Sequence, residues 1–346
     1  MDCAPAFYIS MIDSLPVDYW GMAAVSLRVD AAGQPQVAHK LDNGAVRYGI
    51  RTAAGWQVET AHPAADNNCC LMLDSSGEPH ILFQHGILSR SGNSWSVNNH
   101  TLGPIDHAGG VMASDGSAHL VVFHTFSGGI YYSTVSHVLV RGSNWSYTER
   151  GRGDFTNPNA TVSIRLDANN QPRFCVTNTS DPMIQCWEGI AAPALPWIHN
   201  AHWGSLAIDA QDATHLAYYD TQSRDLNLAV LQNRSWSTIP VDTEGDVGAY
   251  ASLAIDAAGS FHIAYYDNGT QDLKYAFRTT GAATWSRCTV DEAGDVGSFA
   301  SLDVDAEGHV HIAYWDATTH HVKYATSRAP VAVEPTNWSR LKAKFR

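Results

Sequence analysis

The chain repeats itself, and that constrains it more than any other feature. The segment from Val241, VDTEGDVGAYASLAIDAAGSFHIAYYDNGTQDLKYA, and the segment from Val290, VDEAGDVGSFASLDVDAEGHVHIAYWDATTHHVKYA, are two copies of one unit. Its anchor is an apolar strand ending in Asp, then a Gly turn, then HIAYYD. This anchor can be followed through Asp30, Asp74, Asp115, Asp167, Asp209, Asp256 and Asp305, spaced 44, 41, 52, 42, 47 and 49 residues apart. Seven copies result.

Within a unit, SLAID reads as a strand, AAGS as a tight turn, FHIAYYD as a second strand, DLKYAFR as a third and TWSRCTVD as a fourth. Four short strands in forty to fifty residues are the signature of a β-propeller blade. Helical repeats are excluded, because no window sustains a 3.6-residue apolar period while Val, Ile, Tyr and Trp crowd the strand segments. The expected fold is therefore all-β, a seven-bladed β-propeller of four-stranded blades.

A closed ring must hide its first and last strand edges. The seventh copy stops after HHVKYATSR without its fourth strand, whereas AFYISMID and the segment after it match WSRCTVDEAGDVGSFASL with a short insertion. The N-terminal strand is therefore expected to complete blade seven. Residues 1–328 form the propeller, and residues 329–346 a Pro-containing linker with a basic tail in which Trp338, Leu341 and Phe345 fall at helical spacings.

The unit resembles the SLALDxxGxPHIAYYD...LKYA propeller repeat of secreted bacterial proteins, similar in architecture to the BNR and sialidase-like propellers. The resemblance spans residues 6–327, strong in blades five to seven and faint in one to four. It implies a fold and leaves activity open, since propellers carry lectins, hydrolases, lyases and metalloenzymes alike. Sialidase activity itself is not expected: the SxDxGxTW box and a suitable arginine triad are missing.

Composition narrows the partners. Twenty-one Lys and Arg against thirty-four Asp and Glu leave a net charge of -13, which repels phosphate backbones, so no nucleic acid is expected. No stretch is apolar enough to span a bilayer, and the N-terminus lacks a basic n-region and a long apolar core. Six cysteines suit an oxidising compartment, so the expectation is a secreted or periplasmic monomer whose signal peptide is absent from the given chain.

In a propeller, the loops entering the innermost strands and those after the second strands share one face around the central channel. The column held by Asp220, Asp267 and Asp316 in the regular blades holds His85, His124 and Asn178 in blades two to four, with His39 nearby in blade one. The inbound loops add His107, Asn67, Asn68, Cys69, Cys70, Asn157, Asn159, His199, His202 and Trp203, with Tyr250 and Phe299 at matching positions of blades six and seven.

Six imidazoles at one axis would bind a divalent metal (Cu, Zn, Mn or Ca) or supply an acid and a base near neutral pH. The expected metal ligands are His39, His85, His124, His199 and His202. The expected catalytic residues are His85, His107 and His124, and the expected substrate contacts Asn67, Cys69, Cys70, Asn157, Asn178, Trp203, Tyr250 and Phe299.

Other recurrent groups read as scaffold. His80, His119, His215, His262 and His311 open the second strands and are expected to bond backbone; the outer tryptophans are expected in inter-blade core. Cys69 and Cys70 are read first as a vicinal disulfide, otherwise as soft-metal ligands or packed thiols; Cys175–Cys186 and Cys3–Cys288 are the other expected bridges. Asp242, Glu244 and Asp246, like Asp291, Glu292 and Asp295, are within reach of Ca²⁺ but read first as turn solvation. The leading function is a single-site hydrolase or lyase acting on an extracellular polysaccharide or small molecule. The alternatives are a lectin and a copper-holding or redox protein.

Overall fold

The computed structural model describes residues 5–14, 24–41, 43–63, 69–100, 107–127, 131–153, 161–178 and 182–329. Seven four-stranded antiparallel sheets follow one another around a ring. The innermost strands are Val25–Val29, Cys70–Leu73, His107–Met112, Val162–Leu166, Ala201–Ile208, Val247–Ile255 and Val296–Val304. Tyr8–Ser14 pairs with His321–Thr326 and supplies the fourth strand of blade seven, so the ring closes as the repeat analysis requires. Among the described residues no helix is long and apolar enough to cross a membrane.

Apolar clusters lie between consecutive sheets rather than within them; one joins Ala38 and Tyr48 of blade one to Leu71 and Phe83 of blade two. The outer tryptophans pack across these seams, Trp95 against Tyr48 and Trp56 against Tyr324, with ring centroids 5.3 and 5.1 Å apart.

Two polar links recur at the seams. The first uses a serine four residues before the turn Asp. Ser301, Ser26, Ser163, Ser205 and Ser252 each accept, through Oγ, the backbone N–H of the following blade's Leu27, Leu71, Leu206, Leu253 and Leu302, at 2.9–3.0 Å. Cys70 and Gly109 hold this column in blades two and three. A Cβ on Gly109 would lie 2.9 Å from Val162 Cγ1, so at that seam the missing side chain permits close approach instead.

The second link starts from the Asp that ends a fourth strand. Asp242 accepts from Tyr265 Oη at 2.7 Å and pairs with Lys274 at 3.0 Å; Asp291 does the same with Tyr314 and Lys323. These two carboxylates are thus engaged by blade seams, and Asp246 and Asp295 accept from Tyr219 and Tyr266. At the closing seam Asp13 takes the aspartate position and pairs with His39 and Arg47, both at 3.1 Å. Burial opposes ionisation of Asp13, but the bonds to His39 and the charges of His39 and Arg47 outweigh it and hold its carboxyl below the usual range.

The second-strand histidines are scaffold, but their partners are carboxylates rather than backbone. His215, His262 and His311 meet Asp209, Asp256 and Asp305 at 2.8, 3.2 and 3.2 Å, and His262 and His311 also meet Tyr275 and Tyr324 hydroxyls. Blade three departs from this scheme. Its turn begins at Ala113, whose N–H donates to Ser117 O where other blades place Asp, and Asp115 sits two residues later, bonded to Ser117. His119 then pairs with His137 at 3.2 Å.

Two predictions follow from these contacts. Ser252→Ala leaves the buried Leu302 N–H without its acceptor and should cost about 1–3 kcal/mol in denaturant unfolding; no loss would refute the seam role. Burial, with repulsion from His119 and Arg150, pulls His137 down to about 4, so it stays neutral in the fold while the unfolded chain protonates near 6.5. Its contribution is therefore complete above about pH 6.5 and is lost as pH falls toward about 4, so the melting temperature should drop over that window, less steeply in His137→Phe.

Candidate functional site

The entrances of the inner strands surround the mouth of the central channel. Two residues before the seam serine, this level is occupied by Ala24, His107, Thr161, Trp203, Tyr250 and Phe299 in blades one, three, four, five, six and seven. Together with Cys69, Cys70, Ser163 and their neighbours they line a cavity of about 290 Å³.

The wall is lopsided. Trp203, Tyr250 and Phe299 form a continuous arc, with ring centroids 4.9 Å apart between Trp203 and Tyr250 and 4.6 Å between Tyr250 and Phe299. Each stands on a β-bulge: pairing with the second strand skips from His202 to Ser205, from Ala249 to Ser252 and from Ser298 to Ser301. Each also has left-handed backbone, with φ of 51°, 52° and 55°. A bulky residue held there costs roughly 1–3 kcal/mol, so three in register are maintained by their surroundings.

Gly248 and Gly297 prepare the last two bulges, with φ of 113° and 108° and an imagined Cβ within 2.9 Å of Leu226 and Leu273 respectively. Tyr219 and Tyr266 back the arc at 5.5 Å from Trp203 and 6.2 Å from Tyr250. Across the mouth stand smaller or polar groups: Ala24, Thr161, His107 and Cys70.

Of the six histidines expected to converge, His107 lies in this wall. His202 is adjacent, its ring 5.4 Å from Trp203; burial holds its pKa below the ordinary value, and its buried Nε2 has no hydrogen-bond partner. The others are elsewhere. His39 is fully buried and occupies the column that holds Tyr265 and Tyr314 in blades six and seven, which explains its bond to Asp13. His85 is exposed at the tip of the tight hairpin joining Pro79–Phe83 to Gly86–Ser91. His199 is on the outermost strand of blade four, Ile198–His199, opposite Met183 and far from the axis.

The backbone of His124 lies within Ala118–Ser127, a strand that forms a long hairpin with Tyr131–Arg141; its side chain and that of Asn178 lie outside the described residues, as do Asn67, Asn68, Asn157 and Asn159. The described imidazoles therefore do not gather as a ligand set. Among the described residues the one grouping of three donor atoms is Asp305, Glu307 and His309, at the turn of blade seven on the opposite face.

Cys69 and Cys70 correct a second expectation: neither is disulfide-bonded. Cys69 is buried, and desolvation raises its thiol pKa far above the ordinary range, whereas Cys70 borders the cavity with Sγ 3.8 Å from Gly110 O. Cys175 and Cys186 stand opposite each other in blade four and are bridged. Cys288 is disulfide-bonded, and its expected partner Cys3 lies outside the described residues.

No protein-family model matches the chain, and no curated protein matches it. Solved structures share its shape. Virginiamycin B lyase from Staphylococcus aureus aligns at 10% identity and a TM-score of 0.57, over 92% of this chain and 99% of that one. YCF48 bound to a D1 peptide aligns at 12% and 0.60, over 97% and 99%. The Aleuria aurantia lectin, in complex with a fucosylated saccharide, aligns at 13% and 0.53, over 80% and 98%. At these identities the likeness establishes the fold, one on which an enzyme, a peptide binder and a lectin have each been built.

Proposed function

We propose that the protein is a single-site carbohydrate-binding propeller, holding one sugar ring or similarly flat small molecule over the channel. The observation that carries this is the arc of Trp203, Tyr250 and Phe299, three aromatic residues on left-handed backbone, in register on one wall of a cavity the size of a small ligand. Their faces supply apolar stacking, while Thr161, His107 and Cys70 offer polar groups to the opposite edge. A multivalent lectin would keep equivalent pockets in most blades; here the arc is confined to blades five to seven and meets a different wall, which supports one site per ring. Its disulfide suits an oxidising compartment, and we place the protein outside the cytoplasm.

A second reading rests on His107. It is the described histidine that lines the cavity, in the column the aromatics occupy elsewhere, where an imidazole could move a proton to or from a bound ligand. In that case the protein is a His-dependent lyase or hydrolase using the same pocket.

A glycan and small-molecule screen read by tryptophan fluorescence tests both. Trp203→Ala and Phe299→Ala should each weaken the selected ligand by roughly threefold to tenfold, the worth of one stacked aromatic contact. His107→Ala should leave affinity within about that same factor and abolish any turnover. Unchanged affinity in both aromatic variants would remove the ligand from the mouth.

A further inference from the structure

Below the mouth the chemistry of the channel changes. Four residues further along the inner strands, about 13 Å deeper, one level is formed by Arg28, Val111, Arg165, Ala207, Ala254 and Asp303. Arg28 of blade one and Arg165 of blade four border both the mouth cavity and the space beneath it. They are two cations at the waist of a chain whose net charge is -13.

Among the described residues each guanidinium makes one hydrogen bond. Arg28 Nη1 donates to Leu27 O at 2.7 Å, and Arg165 Nη1 donates to Ile164 O at 2.8 Å, each the carbonyl of its own preceding residue. Asp303 shares the level, but its carboxylate oxygens accept the backbone N–H of Val29 and Val304 at the seam of blades seven and one. The remaining N–H donors of two guanidinium forks are thus presented to the channel, and such forks match planar or tetrahedral oxyanions. The electrostatics agree: burial pulls Arg165 down to about 10, with the nearby Arg28 charge acting in the same direction and Asp303 against it. An oxyanion between the two would relieve both penalties.

We propose that Arg28 and Arg165 form an oxyanion subsite at the channel waist, and that the ligand of the mouth carries one acidic group, a carboxylate, sulfate or phosphate, which descends to it. The second clause rests on the mouth reading above; the first stands without it. The ligand is then an acidic saccharide or another ring acid rather than a polyanion, because the cationic groups are sunk in the channel and a second acidic group would face an acidic protein. Hydrophobic stacking selects the ring above and the guanidiniums select its acid below.

The test uses the whole chain, with sodium sulfate, sodium phosphate and sodium acetate as separate probes against sodium chloride at matched ionic strength, followed calorimetrically. Galacturonate is then compared with galactose. Saturable binding of at least one oxyanion is expected, weakened roughly tenfold or more in Arg28→Met and in Arg165→Met, and retained in Trp203→Ala. Galacturonate should exceed galactose by a similar factor in the native chain and lose that preference in Arg28→Met. If Arg165→Met does not fold by circular dichroism, Arg28→Met and Arg165→Gln carry the comparison.

Absence of saturable binding for all three oxyanions, or binding unchanged in the arginine variants, overturns the subsite. Oxyanion binding lost in the arginine variants while galacturonate shows no preference over galactose sustains the waist site and overturns the acidic-ligand clause. Galacturonate unaffected by Trp203→Ala would sink the mouth reading alone.

Discussion

At five of the seven seams a blade is tied to the next by a hydroxyl that accepts a backbone N–H, and the geometry of the channel depends on that link. Strand pairing operates within a blade; between blades most of the contact is apolar, and apolar contact by itself sets no register. The seryl acceptors at Ser301, Ser26, Ser163, Ser205 and Ser252 supply register at the level just below the mouth, and the carboxylates of Asp13, Asp242 and Asp291 supply it nearer the outer edge of the same face. The residues two positions before those serines are therefore held at a common height around the axis.

That arrangement accounts for where variation is found. At the seam level the side chains are nearly uniform, whereas the level above runs from Ala24 to Trp203. Two residues depart from the serine column next to His107: Cys70, whose Sγ meets Gly110 O across the seam of blades two and three, and Gly109, which lies against Val162 at the seam of blades three and four. The cavity is thus aromatic along blades five to seven and lined by smaller or polar groups, Ala24, Cys70, His107 and Thr161, along the others.

Much of the fold was legible in the sequence because a four-strand period leaves repeated marks: the turn Asp, the second-strand His, the fourth-strand Trp. The completion of blade seven by Tyr8–Ser14 followed from the missing strand at the other end. The placement of Trp203, Tyr250 and Phe299 was legible too, since alignment of the repeats puts them in one column. Convergence of the histidines was not. A column gives height along the blade but not radius: His199 shares a loop with His202 and lies on an outer strand, and His85 tips a hairpin. His39 misled because a histidine replaces tyrosine in a structural pair. The serine link was visible all along in VSL, VSI, GSL and ASL; nothing about a lone Ser next to Leu or Ile announces that its oxygen crosses a seam.

Unequal blades on an equal frame would create one ligand site per ring. The most direct measurement is the stoichiometry of ligand binding by isothermal titration calorimetry on the full chain, using the tightest ligand from the screen. A single equivalent per chain is predicted, abolished or strongly weakened when Trp203 and Phe299 are replaced together. Three or more equivalents, or one equivalent indifferent to both replacements, would contradict it.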